Sequence, residues 1–70
     1  MKHFTVRCFY EDDNGHVIGY DGGFNNVHEL KERFQHFNIR RDNISHTWVD
    51  KEPLTEEQID KMFHKLNKTL

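Results

Sequence analysis

The segment YEDDNGHVIGYD, residues 10–21, constrains the fold most because it places a tight turn between two alternating runs. In the first run every second side chain is apolar, as in a strand with one buried face. These side chains are Phe4, Val6, Cys8 and Tyr10. A three-residue loop over residues 13–15, with Gly15 in the left-handed conformation of a G1 bulge, brings the apolar sides of both runs onto one face. The sequence therefore predicts a β-hairpin over residues 4–24.

The register set by this loop gives each residue a partner of matching chemistry. A two-residue loop would set Tyr10 opposite Gly19 and mix the two faces of the hairpin. With the three-residue loop, apolar residues face apolar residues, a charge faces its opposite and an aromatic ring covers a glycine. The predicted pairs are Tyr10 with Ile18, Cys8 with Tyr20, Phe4 with Phe24, Arg7 with Asp21 and Phe9 with Gly19.

Carboxylates around a glycine are also typical of a calcium loop, which is the alternative interpretation of this segment. When glycine is the sixth residue of such a loop, a carboxylate is needed at the first position and a bidentate glutamate at the twelfth. With Gly15 as the sixth residue, those positions hold Tyr10 and Asp21. The flanking segments are predicted strands rather than helices, so the hairpin is favoured.

Capping signals and apolar spacing indicate two helices after the hairpin. Asn26 with Glu29 three residues later predicts a helix over residues 27–37, and Thr55 with Gln58 predicts a second over residues 56–68. The buried stripe expected for the second helix is Ile59, Met62, Phe63, Leu66 and Leu70.

A third strand is predicted over residues 43–49, where the sequence alternates again. The order ββαβα favours a single α+β domain, residues 1–70, whose two-layer fold has a three-stranded sheet of order 2-1-3 against two helices. Both helices are expected on the face that carries Val6 and Cys8. Helices on opposite faces are the alternative, and would leave no face of the sheet open.

Composition argues against several classes of function. The single cysteine, Cys8, allows neither an intramolecular disulfide nor a cysteine zinc finger, and on the core face it is a poor nucleophile. The six histidines show no metalloprotease motif and no pair one helical turn apart. We therefore expect no catalytic residues, no metal and no cofactor. No apolar run approaches membrane length, and no signal peptide is evident, so a cytoplasmic protein without a membrane partner is expected.

A protein-interaction role is the function that this pattern favours. The open face is predicted to carry an apolar centre beside one charge, which is typical of a partner surface, and the outer strands offer edges for pairing. The predicted contact residues for a protein partner or a second copy are Arg7, Phe9, Val17, Thr47 and Val49.

The alternative is a module that binds single-stranded nucleic acid, with Phe9 stacking on bases. Arg7, Arg40 and Arg41 would supply the positive charge. The net charge of −2 argues against this alternative, because phosphate backbones favour a basic surface.

Overall fold

The computed structural model describes residues 3–69 as a four-stranded antiparallel sheet with two helices. The predicted Leu70 of the second helix's stripe lies outside the described residues. In chain order the elements are β1 (Phe4–Glu11), β2 (Val17–Phe24), α1 (Val27–His36), β3 (Ile44–Val49), β4 (Glu52–Pro53) and α2 (Glu56–Lys68). The predicted α+β class is confirmed, and so is the order 2-1-3, to which β4 adds an outer strand in the order β2-β1-β3-β4.

The β1–β2 register is the predicted one at every position. Tyr10 pairs with Ile18, and Arg7 pairs with Asp21. Gly15 has a φ of 82°, and its N–H donates to the carbonyl of Asp12 at 3.0 Å, as a three-residue loop with a left-handed glycine requires. The local turn chemistry therefore decides which side chains face the core.

Strand β3 contains a bulge, which overturns part of the predicted face assignment. Opposite the step from Cys8 to Tyr10 on β1, β3 advances three residues, from Thr47 to Ile44. The extra residue reverses the alternation within β3. Ile44 and Thr47 are therefore both buried, although they have opposite parity in the sequence.

The predicted placement of Thr47 and Val49 on the open face is wrong for this reason. Thr47 is only 2% exposed, and Val49 pairs with the fully buried Val6 and packs against the core. Trp48 pairs with Arg7 instead and takes a place on the open face. A regular alternation in β3, as predicted, would place Thr47, Trp48 and Val49 each on the face of the sheet opposite to the one observed.

The two helices begin at the predicted caps. Asn26 Oδ1 accepts from Glu29 N at 2.9 Å, and Thr55 forms the full capping box with Gln58. Helix α1 ends at His36, one residue earlier than predicted, while α2 matches the predicted range. Asn38, with a φ of 57°, follows the end of α1 in the left-handed conformation that ends many helices.

Both helices cover the same face of the sheet. Side chains of α1 and α2 join those of β1 in one buried cluster, and the rings of Phe34 and Phe63 connect the helices with centroids 5.7 Å apart. Val6 and Cys8 are fully buried beneath them, whereas Arg7 on the other side of β1 is exposed. The sheet therefore has one covered face and one open face, and the alternative with helices on opposite faces is wrong.

The β3–β4 connection is a tight hairpin turn. Val49 pairs with Glu52, which leaves Asp50 and Lys51 as a two-residue loop. Their φ values of 51° and 72° are both positive, as type I′ turns require. Type I′ turns favour asparagine, aspartate and glycine. Because the second position of this turn is a lysine, the sequence does not indicate the turn.

Replacing Lys51 with glycine should stabilise the fold. The left-handed conformation costs a residue with a Cβ about 1–2 kcal/mol, and glycine avoids this cost but loses more backbone entropy on folding. We expect Lys51→Gly to raise the free energy of unfolding by about 0.5 kcal/mol, measured by urea denaturation. Lys51→Ala keeps the Cβ and is the matched control, so an equal gain from alanine would contradict this explanation.

Candidate functional site

The open face of the sheet carries a group of side chains that we call the exposed aromatic cluster: Arg7, Phe9, His46 and Trp48. Arg7 and His46 are exposed, whereas Phe9 and Trp48 are half-buried. Phe9 lies on β1 and Trp48 on β3, the two central strands of the sheet. Their rings meet edge to face with centroids 5.8 Å apart at an interplanar angle of 77°. Such an arrangement is the preferred geometry for aromatic pairs, so the two rings support each other on a face that no helix covers.

Arg7 lies over both rings. Its Cζ is 6.0 Å from the centroid of Phe9 and 5.6 Å from that of Trp48, within the range of cation–π contacts. Among the described residues, its guanidinium forms no ion pair, although Asp21 lies opposite it in the ladder. The arginine is therefore held by aromatic contacts while its charge remains accessible.

The remaining contacts of the cluster extend it in two directions. The ring centroids of His46 and Trp48 lie 6.2 Å apart. The bulge in β3 directs both side chains to the open face of the sheet. Phe9 lies over Gly19 of β2, where an added Cβ would come within 3.2 Å of the ring. A depression of about 320 Å³, lined by Arg7, Asp21, Trp48 and Lys51 among others, adjoins the cluster.

The free edge of β2 lies beside this cluster. The backbones of alternate β1 residues bond to β3 and its flanks: Glu11 N donates to Asn43 O, and Thr5 O accepts from Asp50 N. By the alternation of antiparallel ladders, the residues of β2 opposite these have backbone groups that point away from β1. These residues are Val17, Gly19, Asp21 and Gly23.

This edge is the longer of the two, and most of its residues are exposed. Val17 is 69% exposed, and β2 has eight residues, whereas the opposite edge is the two-residue β4, which ends in Pro53. A proline lacks the N–H that strand pairing needs. An incoming strand would therefore pair with β2 rather than with β4.

The predicted site residues are only partly brought together. Arg7, Phe9 and Val17 lie on the open face as predicted, whereas Thr47 and Val49 lie on the covered side. Trp48 is the residue that sequence reasoning missed. One signal was present: Ile44 and Val49 are both apolar but differ in parity, which an unbulged strand with one buried face does not explain.

Neither Arg40 nor Arg41 belongs to the exposed aromatic cluster, although Arg40 lines a depression together with the open-face residue Val17. Arg40 Nε bonds to Asp42 Oδ1 at 2.9 Å. Arg41 Nε bonds to Asp60 Oδ1 at 2.5 Å, and Asp60 belongs to α2 on the covered side of the sheet. Both guanidinium groups are thus paired with carboxylates, and Arg41 is directed toward the helix layer.

The other chemically distinctive groups have structural roles. Cys8 is fully buried, and this burial raises the pKa of its thiol to about 11, so that it is protonated at neutral pH. Asp12, in the segment that resembles a calcium loop, uses its Oδ1 to accept from the backbone N–H of Asn14 and of His16. Within residues 3–69, no group of three or more histidine, cysteine or acidic side chains could hold a metal ion.

Comparisons of the chain with protein-family models, with curated proteins and with solved structures find no match. In the described part of the chain, neither helix is both long enough and apolar enough to cross a membrane. The function is therefore inferred from the arrangement of side chains alone.

The hairpin turn should make the stability of the fold sensitive to acid. The hydrogen bond from His16 N–H, with a second from Asn14 N–H, lowers the pKa of Asp12 below its ordinary value of 3.8. A carboxyl whose pKa is lower in the folded state stabilises the fold above the unfolded-state pKa, and this contribution is lost as pH falls through the folded value. We expect urea stability to decrease below pH 3.8 in part because of Asp12.

Asp12→Asn is the matched variant, because it keeps an oxygen acceptor but cannot titrate. Its stability should be lower than that of the wild type at neutral pH and should decrease less over the acidic range. An unchanged acid dependence in Asp12→Asn would show that the titration of Asp12 is not linked to folding.

Proposed function

We propose that the protein acts by binding another protein, or a second copy of itself, through the exposed aromatic cluster and the adjacent edge of β2. The observation that carries this proposal is the Arg7 guanidinium lying over Phe9 and Trp48 on an uncovered sheet face. Tryptophan and arginine are enriched among the residues that contribute most to protein interfaces. The rings are already in contact, so little side-chain entropy is lost when a partner covers them.

The charged residues around the cluster would form the polar rim of a protein interface. Arg7 and Lys51 face Asp21 around the neighbouring depression, so the surface carries both signs rather than one strong field. An apolar centre with a mixed polar rim is typical of protein interfaces, whereas nucleic-acid surfaces are mostly basic. The free backbone groups of β2 would add main-chain hydrogen bonds to a partner strand.

Truncating Phe9 should weaken partner binding while leaving the domain folded. The ring is half-buried against Trp48 and Gly19 rather than in the helix-covered core. We expect Phe9→Ala to cost about 1–2 kcal/mol of stability and to weaken association about tenfold or more. Trp48→Ala should behave in the same way.

The measurement compares proteins retained from an extract of the source cells by the immobilised wild type and by each variant. Sedimentation velocity of the purified chain at low and high concentration detects self-association. Phe37→Ala is the matched control, because Phe37 is 40% exposed and its ring contacts Tyr20 and His36 away from the cluster. Loss of folding in Phe9→Ala would place Phe9 in the core, and equal losses of binding in Phe37→Ala would refute the assigned surface.

A second candidate function, binding of single-stranded nucleic acid, is favoured by one observation. Phe9 and Trp48 lie on the two central strands of an open antiparallel sheet, a position from which aromatic rings stack on unpaired bases in single-strand binders. Arg40 and Arg41 are each paired with an exposed carboxylate, so this form of the hypothesis does not rely on them. Arg7 alone would then supply charge beside the stacked bases.

Trp48 is the only tryptophan of the chain, so its fluorescence reports directly on this surface. If the second candidate is correct, a mixed-sequence oligonucleotide quenches this fluorescence at low salt. The slope of log affinity against log salt concentration should then be smaller by about one in Arg7→Ala, since one phosphate contact is lost. The double variant Arg40→Ala/Arg41→Ala is the control and should bind as the wild type does. Unchanged fluorescence at low salt would reject the candidate.

A further inference from the structure

The helix-covered side of the sheet contains an apolar groove of about 420 Å³ between α1 and α2. The buried side chains of Val6, Leu30 and Leu66 contribute to its lining. Around it lie five apolar side chains that remain partly accessible to solvent: Phe4, Val27, Val49, Leu54 and Met62. The hydrophobic core can therefore be reached from solvent at this place.

The charges of this groove all have one sign. Lys61 and Lys65, one turn apart on α2, are the only charged residues in the described lining of the groove, which includes no carboxylate. Lys61 Nζ lies 3.6 Å from Glu57 in a pair whose side chains are 77% and 81% exposed, which is a weak contact. Lys65 forms no ion pair in the described part of the chain. The groove thus offers local positive charge in a chain whose net charge is −2.

We propose that this groove binds a small amphiphile with an apolar body and one anionic head group, such as the carboxylate of a fatty acid. The apolar body packs against Phe4, Leu54 and Met62, and the head group meets Lys61 and Lys65 at the rim. Small-molecule sites are mostly apolar with a few polar groups that fix orientation, and about 300–1,000 Å³ is their usual size. Both lysines belong to α2, so the charge lies along one rim, which suits a ligand with a single charged end.

Met62 supports the same assignment. Methionine is flexible and polarizable, and it adapts its shape to apolar ligands better than branched side chains do. The groove is also independent of the proposed protein-binding surface, because Val6 and Val49 face it from the opposite side of the sheet to Arg7 and Trp48. Occupation of the groove and occupation of the exposed aromatic cluster can therefore be measured separately.

The test uses laurate as the anionic probe and dodecyltrimethylammonium as a cation with a similar alkyl chain, each below its critical micelle concentration. Amide chemical shifts of the full chain are followed by two-dimensional NMR during each titration. We expect laurate to shift the amides of Phe4, Val49, Leu54 and Met62 saturably. The cationic probe should bind about tenfold more weakly, because the rim carries positive charge.

Neutralising the rim should weaken binding of laurate without affecting the fold. Lys61→Gln/Lys65→Gln removes two exposed charges, and we expect about fivefold weaker binding of laurate. Lys68→Gln is the matched control, because Lys68 is an exposed lysine of α2 that does not line the groove. Its affinity for laurate should equal that of the wild type, and the fold of each variant is checked from its amide spectrum.

Several results would overturn the proposal. These are equal affinity for the two probes, unchanged affinity in the double variant, no saturable shift with laurate, or shifts that centre on Trp48 instead of Met62. A dimer formed without laurate, with contacts that map to the groove, would assign the groove to a second copy of the chain and would also overturn it.

Discussion

The hydrogen bonds of the Asp12 carboxylate are the interaction on which the rest of the structure depends. Its Oδ1 accepts from the backbone N–H groups of Asn14 and His16, and Gly15 supplies the left-handed residue that the loop needs. Together they set the length of the loop, and the length sets the register of the hairpin. A shift of one residue in this register would move Arg7 to the buried face of the sheet and Cys8 to the exposed face.

The bulge in β3 is the second constraint, and it determines the composition of the open face. Without the extra residue, Thr47 and Val49 would lie beside Phe9, and Trp48 would be directed into the core. With the bulge, the one tryptophan of the chain meets Phe9 and Arg7 on the uncovered side. Bulges often re-aim a side chain near functional sites, and here the bulge creates the cluster that carries the proposed function.

The sheet separates two surfaces with different chemistry. Its open face combines aromatic rings, one accessible arginine and a free strand edge, which suits a protein partner. Its covered face leaves an apolar groove with lysines on one rim, which suits a small anionic amphiphile. Arg40 and Arg41, each paired with a carboxylate, are required by neither proposal. Two independent binding functions are thus compatible with a single small core.

The sequence by itself determined the features that arise from interactions between residues close in the chain. The hairpin loop and the caps at Asn26 and Thr55 depend on hydrogen bonds within a few residues, so they could be predicted. The α+β class and the order 2-1-3 followed from these elements and their apolar faces. Only the tertiary structure decided the bulge, the strand β4, the position of Trp48 and the groove. These depend on how β3 pairs with a distant β1 and how two helices divide one sheet face, and the free energies of such non-local contacts are not encoded in local spacing.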